Sequence, residues 1–139
     1  HKAPLAAFDL DASNCPDLFP VVSVLAAFCS GTSHISGVGR LASKESDRGK
    51  AILDMLTGLG VNARIKGDSL IVHGMSLSQR LLQGKLLHGG DYTSSHDHRM
   101  VMALMVASLG ADGPVNIDDT ACVAKSFPDF METFKRFAR

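Results

Sequence analysis

The stretch Lys44-Glu45-Ser46-Asp47-Arg48 packs two cations, two carboxylates and a hydroxyl into five residues directly before an amphipathic run. From Gly49 to Leu59, apolar residues recur with the spacing of a helix that buries one side, at Ile52, Leu53, Leu56 and Leu59. The motif is therefore predicted to lie at a helix N-terminus.

Cations are unexpected at that end of a helix. The positive end of the helix dipole disfavours a Lys or Arg by about a few tenths of a kcal/mol. Glu45 and Asp47 can compensate within the motif, as at any capped helix start. The alternative is a bound phosphate or carboxylate, held by backbone N–H groups together with Lys44 and Arg48. A recurrence of the arrangement elsewhere in the chain would favour the bound anion.

The composition limits the class of protein. With 139 residues, 45% apolar and 20% charged, the chain fits a globular domain with one core. The formal net charge is zero, so nucleic-acid binding has no electrostatic basis and binding to an anionic membrane has little. The longest apolar runs are about half of the ~20 residues that a membrane span needs. We expect neither nucleic acid nor membrane as a partner.

The cysteines indicate the compartment. Cys15, Cys29 and Cys122 are odd in number and lack CxxC spacing, which argues against a disulfide framework or a zinc knuckle. A reducing, cytoplasmic setting is expected. The chain opens with His1 rather than methionine, which is compatible with a segment that begins partway through a longer protein.

The first half predicts alternating strands and helices that end in a β-hairpin. The predicted elements are a strand over Leu5–Leu10, a buried helix from Pro16 to Cys29, a strand over Thr32–Ser36, a loop over Gly37–Ser43, the helix that follows the opening motif, and hairpin strands over Val61–Ile65 and Ser69–His73.

The second half repeats this order. After an irregular stretch from Ser76 to Gly90, a helix is predicted over Asp97–Leu109, a strand over Val115–Ile117 and a last helix from Phe127. Asp17 and Asp97 both head an apolar helix. We therefore predict an α/β (α+β) fold made of duplicated βαβαββ units, the first over residues 1–75 and the second, incomplete, over residues 76–139.

The cations recur at helix starts. Arg99 lies in the first turn of the second apolar helix, and Lys125 directly precedes the last helix. If the strands gather these ends on one side of the sheet, then Lys44, Arg48, Arg99 and Lys125 converge on an anionic ligand. The alternative is a set of separate surface ion pairs.

The acidic residues and the histidines also have both a structural and a functional interpretation. Asp17 and Asp97 at helix starts are more often caps than bases. Glu45 differs, because neighbouring cations can tune its pKa for proton transfer. His96 and His98 are two residues apart and would point to nearly opposite sides of a helix, so we expect no metal site.

Four motifs together resemble one known family. They are Asn14-Cys15-Pro16-Asp17, Lys44-Glu45-Ser46-Asp47-Arg48, Asp97-His98-Arg99-Met100 and Ala124-Lys125-Ser126-Phe127-Pro128. Their order and approximate spacing resemble those of the 5-enolpyruvylshikimate-3-phosphate synthase family. The chain is similar to about the last third of that enzyme, whose family has two lobes of three βαβαββ repeats. The resemblance implies that residues 1–139 are part of one lobe of this enolpyruvyl transferase fold.

The resemblance also implies an activity: transfer of the enolpyruvyl group of phosphoenolpyruvate to the 5-hydroxyl of shikimate 3-phosphate, with release of phosphate, in chorismate and aromatic amino acid biosynthesis. No cofactor is implied. The implied catalytic residues are Asp17, a candidate base at the 5-hydroxyl, Lys44 beside the same hydroxyl, and Glu45, which would move a proton at the methylene carbon. The implied ligands of phosphoenolpyruvate are Arg48, Arg99, Lys125 and His98, and those of shikimate 3-phosphate are Asp17, Arg40 and Lys44.

The chain departs from the family pattern in a few places. Ala42-Ser43 stands where many members have Arg-Val, Arg40 where some have a neutral polar residue, and His96 where Asn is common. The family's opening Lys-Ser segment, its Gly-Asn-Ser-Gly-Thr-like loop and its Ser-Ser-Gln motif do not occur here. We therefore expect this polypeptide alone to be inactive and to need an N-terminal lobe of the same protein as its partner.

Two other functions are open at this point. The UDP-N-acetylglucosamine enolpyruvyl transferase shares the repeat architecture, although the second and third motifs favour the shikimate enzyme. A non-catalytic anion-binding module is the other alternative. Glu45 discriminates against it, because a proton-transfer site needs a carboxylate among its cations and an anion receptor does not.

Overall fold

The computed structural model describes residues 5–41, 48–94, 97–120 and 129–137. Its elements alternate as the sequence predicts, and the α/β class is confirmed. In chain order they are β1 (Asp9–Asp11), a 3₁₀ turn (Pro16–Leu18), α1 (Phe19–Ala27), β2 (Gly31–Ser36), a second 3₁₀ turn (Val38–Leu41), α2 (Arg48–Gly58), β3 (Asn62–Lys66), β4 (Ser69–Gly74), α3 (Leu77–Gln83), β5 (Gly90–Tyr92), α4 (His98–Ser108), β6 (Val115–Ile117) and α5 (Phe130–Phe137).

The first half forms a four-stranded sheet in the order β1-β2-β4-β3. β1 runs parallel to β2, and the crossover between them is α1. β4 is antiparallel to both β2 and β3, so β3 and β4 form the predicted hairpin around Gly67. Leu70 and Val72 of β4 point into the core and are at most 1% exposed. The hairpin and the strand predicted over Thr32–Ser36 are confirmed.

The second half repeats the parallel pair of the first. β5 runs parallel to β6, with α4 as the crossover. Gly90 follows Asp9 by 81 positions, and its partner Val115 follows His34 by the same 81. This strand register aligns Asp17 with His98, one position beyond the Asp97 that heads the helix in the sequence. The division of the chain at residue 75 stays a prediction.

The two crossover helices share the core. Phe19 and Val24 of α1 and Val101 and Leu104 of α4 have no solvent exposure. Burial of such side chains is the main favourable contribution to folding, at about 1.5–3 kcal/mol for each large residue. Helix α1 is not buried all round, because Leu25 is 43% exposed.

The stretch predicted to be irregular, Ser76 to Gly90, contains helix α3, so that prediction is wrong. Ser76 caps this helix by accepting a hydrogen bond from the Gln79 N–H, and Gly84 ends it in the left-handed conformation at φ 66°. The capping signals are present in the sequence. The apolar periodicity of a helix is absent from this stretch, because the residue that α3 buries is the charged Arg80.

The ends of several other elements also differ from the prediction. The strand predicted over Leu5–Leu10 is reduced to β1 and an isolated bridge from Ala6 to Ser30. The predicted loop after β2 contains the 3₁₀ turn Val38–Leu41. Pro16 opens a 3₁₀ turn before the α-helix, since proline fixes φ and donates no hydrogen bond.

The described part of the chain shows no helix that is long and apolar enough to cross a membrane. In the same residues, no three His, Cys, Asp or Glu side chains lie close enough together to hold a metal ion.

Candidate functional site

Two ion pairs connect helix starts that are distant in the sequence. Nη2 of Arg99, in the first turn of α4, lies 3.0 Å from Oδ2 of Asp17 in the turn before α1. Nε of Arg48, the first residue of α2, lies 3.6 Å from Oδ2 of Asp97. The structure therefore places two of the four candidate cations, Arg48 and Arg99, at one group of helix N-termini.

Asp97 links the two pairs through the backbone of α4. It is the N-cap residue of α4, and its Oδ1 accepts a hydrogen bond from the Arg99 N–H at 2.9 Å. Its Oδ2 faces Arg48. The cap predicted for Asp97 is confirmed. One carboxylate thus satisfies an otherwise unpaired helix donor and neutralises a cation from another helix.

Asp17 has a different role from Asp97. The residue before its 3₁₀ turn, Cys15, makes no side-chain cap, and Asp17 pairs with Arg99. Its side chain is 58% exposed, whereas that of Arg99 is 27% exposed. The carboxylate is therefore accessible to a ligand, and Arg99 lies beneath it.

The charges of this cluster balance in the structure. Arg48 and Arg99 contribute two positive charges, and Asp17 and Asp97 contribute two negative ones. Ion pairs that remain exposed to solvent are worth only about 0–1 kcal/mol. An incoming phosphate or carboxylate can therefore replace the aspartate beside a guanidinium at little cost in free energy. The helix N-termini also favour an anion at this position.

His98 lies beside these pairs as the first residue of α4, and its side chain is half-buried. The backbone of Arg40 belongs to the 3₁₀ turn after β2. Lys44, Glu45, Lys125 and the departures at positions 42, 43 and 96 lie outside the described residues. The roles implied for all of these side chains stay predictions.

The loop before α4 depends on a residue that the sequence analysis did not single out. Asp118, just after β6, accepts hydrogen bonds from Thr93 Oγ1 at 2.8 Å, the Ser94 N–H at 2.8 Å and Ser94 Oγ at 3.0 Å. These hydrogen bonds lower the pKa of Asp118 to about 2. The only signal in the sequence was an Asp at the end of a predicted strand, which is too common to be informative.

Comparison with known proteins extends the resemblance seen in the sequence. The family model described as EPSP synthase (3-phosphoshikimate 1-carboxyvinyltransferase) matches residues 1–134. The 3-phosphoshikimate 1-carboxyvinyltransferase of Clostridium botulinum (strain Alaska E43 / Type E3) is 42% identical over 132 residues, which are 94% of this chain and 28% of that protein. The enzyme of the same name from Clostridioides difficile (strain 630) is 44% identical over 126 residues, 91% of this chain and 27% of that protein.

Solved structures show the same likeness. EPSP synthase from Acinetobacter baumannii superposes with a TM-score of 0.73 and 32% identity, covering 85% of this chain and 26% of that one. The enolpyruvyl transferase NikO from Streptomyces tendae has a TM-score of 0.68 over 98% of this chain and 29% of its own, and at 18% identity it shows the fold alone. The chain spans a little over a quarter of the length of the relatives that it matches. The resemblance drawn from the four motifs is confirmed, and the chain belongs to the EPSP synthase (3-phosphoshikimate 1-carboxyvinyltransferase) family.

Proposed function

We propose that this chain contributes part of an active site that transfers the enolpyruvyl group of phosphoenolpyruvate to the 5-hydroxyl of shikimate 3-phosphate. Family membership supports the reaction. The observation that carries the assignment is the 3.0 Å contact between Asp17 and Arg99. It brings the acid implied at the acceptor hydroxyl next to a cation implied at phosphoenolpyruvate, as a reaction between the two substrates requires.

In the proposed binding mode, Arg48, Arg99 and Lys125 hold the carboxylate and phosphate of phosphoenolpyruvate, with His98 nearby. Three cations suit this ligand, because it carries a carboxylate and a phosphate. Asp17, Arg40 and Lys44 face shikimate 3-phosphate. Binding of phosphoenolpyruvate draws Arg99 toward its carboxylate, which leaves Asp17 free to accept a proton.

The proposed reaction has an addition step and an elimination step. The 5-hydroxyl oxygen attacks C2 of phosphoenolpyruvate, its proton passes to Asp17 with Lys44 beside it, and C3 receives a proton from Glu45. Glu45 then removes a proton from C3, the C2–C3 double bond forms again, and the C2–O bond to phosphate breaks. The cations stabilise the departing phosphate. Every proton taken up at C3 is returned, and the hydroxyl proton held by Asp17 leaves with the phosphate, so the enzyme regains its starting protonation and no oxidant or cofactor is consumed.

We further propose that the chain needs a second lobe, because three substrate-binding motifs of the family do not occur in its sequence. The cytoplasm is the proposed location. As a test, the chain is fused behind the part of the Clostridium botulinum relative that it does not match, and phosphate release is measured with both substrates. The fusion should release phosphate, whereas the 139-residue chain alone should not. Release by the chain alone would refute the need for a second lobe.

Binding by the isolated chain gives a separate measurement. Phosphoenolpyruvate titrated into the 139-residue chain should shift the NMR signals of the Arg48 and Arg99 side chains, whereas UDP-N-acetylglucosamine should not. In the fusion, Glu45→Gln should abolish turnover and leave phosphoenolpyruvate binding roughly intact. Binding without turnover in the unsubstituted, folded fusion would instead favour the non-catalytic anion-binding module.

A further inference from the structure

The Asp118 carboxylate connects the end of β6 to the loop that leads into α4. It accepts three hydrogen bonds from Thr93 and Ser94, and Ser94 has no solvent exposure. The Asp118 N–H also donates to the Tyr92 carbonyl at 3.2 Å. The carboxylate and the backbone of one residue therefore hold three consecutive residues, the last of β5 and the first two of the loop.

This loop leads directly into the cluster of ion pairs. The Ser94 carbonyl accepts a hydrogen bond from the Asp97 N–H at 2.9 Å. Asp97 then caps the Arg99 N–H with one carboxylate oxygen and faces Arg48 with the other. A displacement of Ser94 would thus be transmitted to Asp97 and from there to both cations.

The first half of the chain shows that the fold does not require an acid at this position. The strand register that aligns Asp9 with Gly90 also aligns Gly37 with Asp118 and Ser13 with Ser94. A Cβ on Gly37 would lie only 2.7 Å from the Ser13 backbone nitrogen, so no larger side chain fits there. The loop of the first half is held instead by Asp11, whose Oδ1 accepts a hydrogen bond from the Ser13 N–H at 2.9 Å.

We infer that Asp118 is a positioning residue, which fixes Thr93 and Ser94 and, through the Ser94 carbonyl, Asp97, so that Arg48 and Arg99 are held in place for the phosphoenolpyruvate anion. The inference rests on the proposed function for the identity of the ligand. Asp118 is outside the implied set of ligands and acts through Ser94 and Asp97. Its low pKa agrees with the assignment, because it results from the hydrogen bonds that Ser94 and Thr93 donate to the ionised carboxylate.

The test compares Asp118→Ala and Asp118→Asn with the control variant Asp112→Ala in the 139-residue chain. Asp112 is a matched control, because its Oδ1 also accepts a backbone N–H of the second half, that of Gly89 at 2.8 Å, before β5. Amide hydrogen exchange at Arg99 reports the α4 cap, calorimetric titration reports the Kd for phosphoenolpyruvate, and thermal unfolding reports stability.

Asp118→Ala should speed exchange at Arg99 and weaken phosphoenolpyruvate binding by about tenfold or more, since small errors of position are costly at such sites. Asp118→Asn keeps an acceptor oxygen and should recover most of both properties. Asp112→Ala should lower the unfolding temperature without either effect. Unchanged exchange at Arg99 in folded Asp118→Ala, or an equal loss of affinity in Asp112→Ala, would overturn the inference. If neither the unsubstituted chain nor its fusion binds phosphoenolpyruvate, the proposed ligand is wrong, and exchange at Arg99 still decides the positioning role.

Discussion

The Arg99 guanidinium lies 3.0 Å from the Asp17 carboxylate and joins the start of α4 to the turn before α1. Among the described residues, it is one of two ion pairs that join helix starts of the two halves. It also gives Arg99 a partner that an anionic ligand would have to replace.

Arg99→Ala should weaken phosphoenolpyruvate binding strongly, and it should lower the stability of the fold only slightly. The ion pair with Asp17 is partly exposed, so its loss should change the free energy of unfolding by less than about 1 kcal/mol. The affinity should fall by at least about tenfold, because a charged hydrogen-bond donor to the ligand is lost. Urea unfolding and calorimetric titration measure the two quantities.

Arg64→Ala is the control for this prediction. Arg64 is also an arginine, but it is exposed on β3, an edge strand of the four-stranded sheet. It should leave the affinity unchanged. An equal loss of affinity in both variants would mean that only the net charge of the chain matters.

The two functions of Asp97 can be separated by substitution. Asp97→Asn keeps an oxygen that can cap the Arg99 N–H, and it removes the charge that faces Arg48. Asp97→Ala removes both and should lower the free energy of unfolding by about 1 kcal/mol more than Asp97→Asn. Urea unfolding of the two variants measures this difference. Equal stabilities would show that the cap contributes nothing.

The buried Arg80 should be the most sensitive polar residue of the described core. Its guanidinium donates to the carbonyls of Met75 at 3.1 Å, Lys85 at 3.0 Å and Ala27 at 2.9 Å. Ala27 ends α1, so the cation also lies at the negative end of that helix dipole. Arg80→Met removes this donor from all three carbonyls, although the Ala27 carbonyl keeps the Met75 N–H at 3.0 Å, and should cost about 2–4 kcal/mol in the free energy of unfolding.

A residue on the same helix gives the control. Leu82 is 88% exposed, and Leu82→Ala should change the free energy of unfolding by less than about 0.5 kcal/mol. Urea unfolding compares the two variants. A cost for Arg80→Met as small as that for Leu82→Ala would show that water replaces the guanidinium.

Asp118 should make the free energy of unfolding depend on pH in the acidic range. Its pKa is about 2 in the folded chain against an ordinary 3.8, so its stabilising contribution is fully present above about pH 5 and is lost as the pH falls through about 2. The difference in urea midpoint between the unsubstituted chain and Asp118→Asn should therefore be constant near neutral pH and shrink from pH 5 to pH 2. The pKa of Asp11 is also lowered, chiefly by Ser13, but this contribution is common to both proteins and cancels. A difference that stays constant down to pH 2 would contradict this assignment.

Local signals in the sequence identified most of the elements. The turn at Gly67 defined the hairpin, and Asp97 marked the start of α4. Helix α3 was missed because its buried residue, Arg80, is charged, so the apolar periodicity that reveals other helices is absent. Its burial depends on three carbonyls that only the folded chain brings together.

The site was predictable in its residue types and not in its pairings. A cation at a helix start suggests an anionic partner, but the sequence does not show that Asp17 faces Arg99 or that Asp97 faces Arg48, because these contacts join different halves of the chain. Asp118 could not be identified as a support for the loop, since its partners Thr93 and Ser94 are 25 and 24 residues away. The substrate-binding and catalytic roles of all the implied residues stay predictions, and Lys44, Glu45 and Lys125 also lie outside the described residues.

The constant offset of 81 residues between the two parallel strand pairs has a consequence for how such a site can diversify. It aligns Asp17 with His98, so an acid and an imidazole occupy the same place in two copies of one unit. Two positions that are equivalent in strand register can therefore carry different chemistry while the strands and crossover helix around them are maintained. Repetition of the scaffold thus places two unlike groups at equivalent positions without a new backbone.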